Sequence, residues 1–130
     1  MAATNGPRGS SASNPMNMAV SQSGAYGSGT VTIASSGTTS GAISMVSGGR
    51  LAGLIIPSSF TGTAISFSVS ADGSTYGTFK QFGTAVSITV AASDAVDILG
   101  AYVGLCAWPY VKVVSNATEA ASRTIGYVTA

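Results

Sequence analysis

The side chains able to do chemistry are few, and their spacing restricts what they could do. Asp94 and Asp97 are the one close pair of carboxylates. A glycosidase needs two carboxyl groups flanking one bond inside a cleft, whereas acids three residues apart suit the first turn of a helix. Asp72 stands alone in Ser70-Ala-Asp-Gly-Ser74, and a Ca²⁺ ion takes roughly six to eight oxygens. The Asp72-Gly73 pair therefore reads as a hairpin turn, with Gly73 supplying a left-handed backbone. Cys106 is the single cysteine and histidine is absent, so neither the thiol nor any serine has the usual partner base. Cys106 lies in the apolar run Val103–Trp108 and reads as a small buried hydrophobe. No G-x-S-x-G elbow and no phosphate-cradling G-x-x-x-x-G-K-[ST] loop occurs. Catalysis, a cofactor and a metal site are all unexpected.

One aromatic concentration remains, formed by Tyr102, Trp108 and Tyr110. Sugar-binding sandwiches use exposed aromatics as stacking platforms, so these three are the candidate residues for a carbohydrate-binding, lectin-like module. The competing reading packs Trp108 into the core. Asn116-Ala-Thr118 fits the glycosylation pattern, but no secretory leader is recognisable before it, and modification is not expected.

Composition narrows the partners. The 130 residues include five Lys or Arg and four Asp or Glu, for a net charge of +1 and a charged fraction of 7 %. An ordinary soluble domain is about 25 % charged. Cations scattered from Arg8 to Arg123 make no stripe for phosphates, so nucleic acid is not expected as a partner. The longest aliphatic run, Leu51–Ile56, is far short of the ~20 residues of a membrane helix. Hydroxyls replace charge on the surface, and flat strand edges without Lys or Pro invite pairing with another chain. That combination suits a subunit whose faces are covered in an assembly.

A period of two positions all these residues. Val31 and Ile33 alternate with Thr30 and Thr32, and Ile43 and Met45 flank Ser44. Ile65, Phe67 and Val69 alternate with Ser66, Ser68 and Ser70, giving one dry face and one face lined with hydroxyls. Val86, Ile88 and Val90 repeat the pattern, as do Val111 with Val113 and Ile125 with Tyr127. Leu51–Ile56 is continuous, as in a strand covered on both sides. Turn signals separate these runs at Ser35–Gly41, Ser47–Gly49, Pro57–Gly62, Ala71–Ser74, Gly83–Thr84 and Asn116–Ser122. The prediction is an all-β antiparallel sandwich of about seven or eight strands over residues 25–130, jelly-roll-like, preceded by a flexible arm over 1–24. A one-turn helix is predicted near Ala91–Ile98, capped by Ser93, with Asp94 and Asp97 at its N-terminal end.

Two resemblances rest on particular runs. Phe67-Ser-Val-Ser-Ala-Asp-Gly-Ser-Thr-Tyr76, followed by Trp108-Pro-Tyr-Val-Lys-Val-Val114, resembles the pattern of discoidin-type, galactose-binding-like jelly rolls. The chain departs from them in lacking their usual disulfide and their sugar-contacting Arg and His residues, so this likeness implies fold more than ligand. From Leu51-Ala-Gly-Leu-Ile-Ile-Pro-Ser-Ser-Phe60 through the SADG hairpin, the Tyr110-Val-Lys-Val strand and the Arg123-Thr-Ile strand, the chain resembles small β-sandwich virion proteins of tailed bacteriophages. That resemblance implies a capsid decoration (cement) protein: a homo-oligomer, trimeric in many such proteins, bound across neighbouring major capsid subunits. It implies a place on the capsid surface after synthesis in the host cytoplasm. Met16, Met18 and Val20 are then the candidate capsid-docking residues of the arm.

Overall fold

The computed structural model describes residues 26–130. Alternating side chains become strands wherever a neighbouring strand can take up their backbone. The strands are β1 (Gly27–Ile33), β2 (Ile43–Ser44), β3 (Leu51–Ile55), β4 (Ala64–Ser70), β5 (Gly77–Thr78) and β6 (Lys80–Gln81). They continue with β7 (Thr84–Ala85), β8 (Ile88–Thr89), β9 (Ala95–Asp97), β10 (Tyr110–Ser115) and β11 (Arg123–Thr129). One short helix, α1 (Val103–Cys106), precedes β10.

Two main antiparallel sheets form. The first runs β1-β11-β3-β9; the second runs β2-β10-β4-β5, with β8 also on β4. The β6–β7 hairpin stands apart as a two-stranded ribbon. Val31, Ile33, Leu54 and Ile125 from the first sheet share one buried cluster with Ile43, Phe67, Val111 and Val113 from the second. The fold is therefore all-β and of sandwich type, as the alternation predicted. The strand number exceeds the seven or eight expected, because several patterned runs pair only over two residues. Val86 and Val90 are buried and Ser87 and Thr89 exposed, yet only Ile88–Thr89 lies in a ladder.

Two local predictions need correction. Leu51–Ile56 is not covered on both sides: Ile55 is 50 % exposed. The β3–β11 register steps from Gly53↔Val128 to Leu51↔Thr129, leaving Ala52 out. This bulge reverses the alternation, so that Leu51, Leu54 and Ile56 all face inward although the first two are an odd three positions apart.

The predicted helix at Ala91–Ile98 is a turn followed by β9. Asp94 Oδ2 accepts the Ala91 N–H at 2.7 Å, Ser93 sits at φ 68, and β9 pairs with β3 through Leu54↔Val96. A sheet partner outcompetes a capping signal when the helix it would start has no apolar stripe to bury. The helix forms instead at Val103–Cys106, where Leu105 and Cys106 are buried.

Candidate functional site

The residues of interest gather at one end of β4 and β10, and the loop after β4 builds the first wall. Ser70 Oγ accepts the N–H groups of Asp72 and Gly73 at 3.2 and 2.9 Å and donates to Asp72 Oδ1 at 2.9 Å. Asp72 Oδ1 also accepts the N–H groups of Ser74 and Thr75 at 2.8 and 2.9 Å. The Thr75 and Ser74 N–H groups, helped by the Ser70 hydroxyl, hold the Asp72 carboxyl down at about 2. Gly73 adopts φ 81, and a Cβ on it would lie 3.1 Å from the Tyr110 ring. The turn reading of Asp72-Gly73 thus stands, although the connection runs from Ala71 to Tyr76 and only Gly73 of the pair is left-handed.

Beyond this loop lies an aromatic hollow of about 550 Å³, lined by Val69, Asp72, Tyr76, Phe79, Lys80 and Trp108 among others. Phe79 is buried beneath it. Lys112 Nζ sits 4.2 Å over the Tyr76 ring, a cation–π contact that fixes the ring from the sheet side. Phe79, Lys80 and Trp108 also border a second hollow of about 510 Å³, whose other walls include Phe82, Val103 and Gly104. Phe82 and Gly83, at φ 53 and 81, form the two-residue tip of the β6–β7 hairpin. The sequence alone does not mark Tyr76, Phe79 or Phe82 for either hollow. Phe82-Gly83 carried a usable signal, since an aromatic occupies a turn position that ordinarily takes Asn, Asp or Gly.

The three predicted aromatics do not form one platform. Trp108 is 36 % exposed and lines both hollows, so its core-packing reading is overturned. Tyr110 is half-buried beneath Gly73, and Tyr102 packs partly buried against the core. Met16, Met18 and Val20 lie outside the described residues, as does the arm over 1–24.

The remaining chemical candidates serve the scaffold. Cys106 is buried, its Sγ 2.9 Å from the Leu51 carbonyl oxygen, and desolvation pushes the thiol up, with Arg50 opposing and Asp97 adding. Asp97 Oδ1 accepts the Gly100 N–H at 3.3 Å. Asn116 Oδ1 accepts the N–H groups of Thr63 and Ala64 at 2.9 and 3.2 Å, and its amide donates to Thr63 Oγ1 at 3.0 Å.

A polar constellation not foreseen from the sequence lies at the far end of β4 and β10. Glu119 is wholly buried, with Oε1 accepting the Thr61 N–H and Arg123 Nε–H, both at 2.9 Å. Its Oε2 accepts the Gly62 N–H and the Ser115 hydroxyl, both at 3.1 Å. Desolvation pushes this carboxyl up, but the Thr61 N–H, Arg123, Ser115 and the Gly62 N–H outweigh it and hold it below its ordinary range. In a chain with so few ions, opposite charges four residues apart were the available signal. No protein-family model, curated protein or solved structure matches this chain.

Proposed function

We propose that this protein is a virion structural component, a capsid decoration protein of a tailed bacteriophage that acts as a homo-oligomer bridging major capsid subunits. The observation that carries the reading is the surface. On a hydroxyl-lined sandwich almost without charge, Ile55, Phe82, Val103, Trp108 and Val128 are exposed. Strand β1, uncharged along its seven residues, adds a sheet edge that among the described residues is covered only at Thr32 and Ile33, by Gly41 and Ser40. Its Thr32 carbonyl oxygen turns away from β11 to accept the Gly41 N–H, so Thr30 and Ser28, two and four residues earlier, direct their backbone groups to that same outer side. Such a surface suits contacts with other chains better than a life as a free monomer. The run from Leu51 to Val128 that resembles phage virion proteins adds the choice of assembly. A protein that binds only the assembled shell stabilises it by mass action.

The test is co-sedimentation with shells built from the major capsid protein of the virus that carries the gene. Binding with a raised shell melting temperature is expected. Shells that neither retain the protein nor gain stability would end this reading.

Trp108 and Tyr76 in the 550 Å³ hollow favour a second reading, a carbohydrate-binding module. A glycan array on the wild type and on Trp108→Ala separates the two. Glycan binding that disappears in the variant while oligomers persist would favour the sugar.

A further inference from the structure

Phe82 is the outlier of this surface. Its side chain is 99 % exposed and its backbone lies at φ 53. A bulky residue rarely takes that conformation, and burial within its own chain gives it nothing in return. Strain held at a solvent-directed aromatic is a mark of a residue kept for contact. The hollow lined by Val69, Tyr76, Phe79 and Trp108 opens near the same hairpin, and its volume of about 550 Å³ readily admits a phenyl ring.

The charges around the hollow are opposite and incompletely used. Asp72 directs Oδ1 to all its turn bonds, so Oδ2 has no donor among the described residues. Lys80, exposed and two residues from Phe82, has no carboxylate partner among them either. One face of one chain therefore carries a knob, a hollow, a cation and an anion. That is the requirement for a self-complementary, two-fold contact.

We propose that two copies of this chain pair through this face. Phe82 of each enters the Val69–Tyr76–Phe79–Trp108 hollow of the other, and Lys80 of each meets Asp72 Oδ2 of the other. This deepens the assembly reading and rests on it, naming the surface through which copies join. Pairing buries the ring, closes the hollow and leaves neither charge alone.

The experiment is a dilution series of the full-length protein, followed by light scattering and by the fluorescence of Trp108, the only tryptophan. The expected result is a mass twice that of the chain that falls on dilution, with emission shifting to the red as Trp108 is uncovered. Phe82→Asn suits the turn, so it folds, and it should weaken pairing by roughly tenfold or more. Lys80→Glu and Asp72→Asn should each weaken it less, the latter keeping an oxygen for the turn. A trimer or other oligomer insensitive to Phe82→Asn overturns this contact and leaves the assembly reading standing. So does a monomer at every concentration that still binds shells; a monomer that binds none sinks both. A monomer whose Trp108 emission responds to an oligosaccharide overturns the contact in favour of the sugar.

Discussion

Strands β4 and β10 carry two polar clusters at opposite ends, and the clusters obey opposite rules. At the Ser115 end, both oxygens of Glu119 have two donors each inside the chain. Arg123, which supplies one of them, also reaches the Ser59 and Thr61 hydroxyls at 3.2 and 3.3 Å. At the Tyr110 end, Lys80 has no ionic partner among the described residues, Asp72 uses one oxygen, and Phe82 faces water. A buried charge persists only when its partners are complete, so the first cluster ties the loop before β4 to the loop between β10 and β11 and offers nothing to a ligand. Incomplete partners are tolerated only in solvent, where another molecule can supply the rest. The contacts proposed above with other molecules belong to the second end.

The largest test of this contrast is Glu119→Ala. It strands the Arg123 guanidinium, the Ser115 hydroxyl and two N–H groups in a buried site, at a cost of about 3–5 kcal/mol. A fall of that size should appear in urea unfolding, and a loss below about 1 kcal/mol would show that water reaches the cluster. Gly62→Ala attacks the same end by volume. A Cβ there would collide with Ser115 Oγ and lie 2.9 Å from Phe60 Cε2, and overpacking of this kind costs about 1–3 kcal/mol.

At the open end the sign should reverse. Phe82→Asn removes an exposed ring and places at φ 53 a residue that tolerates it. Stability should rise by about 1 kcal/mol while self-association falls. A variant that loses stability instead would mean that the Phe82 ring packs within its own chain.

What the sequence disclosed follows the same division. The two-periodic runs announced the sandwich because alternate burial is local information: Ile65, Phe67 and Val69 face inward whatever strand lies beside them. The helix expected at Ala91–Ile98 failed because β9 found a partner in β3, which lies forty residues away in the chain. The bulge at Ala52 was equally illegible, since it is set by β11. Of the candidate site, Trp108 was named but its face was not, and Tyr76, Phe79 and Phe82 went unmarked because their convergence depends on two hairpins folding back. Glu119 and Arg123 stood out only as opposite charges four residues apart. Nothing local says that a loop carboxylate will be enclosed by residues 59–62.

The smallest expected effect concerns acid, where the two ends should separate again. Both depressed carboxyls bind protons more weakly in the folded chain than in the unfolded one. Their stabilisation is therefore complete above the unfolded value and is lost as pH falls through the folded value. For Asp72 the window runs from 3.8 down to about 2, and for Glu119 the loss develops below 4.5. Asp72 is exposed at the surface, so solvent and salt screen its share, whereas the share of Glu119 is shielded from both. Urea midpoints measured from neutral pH into this window should fall as acid is added, and raising the salt should leave most of the fall in place. Asp72→Asn should flatten only the lowest part of the curve. Glu119→Gln should remove the larger part, because a neutral amide leaves Arg123 without its counter-charge at every pH. A curve flattened more by Asp72→Asn than by Glu119→Gln would reverse the comparison and make the exposed loop, rather than the buried carboxylate, the acid-sensitive element.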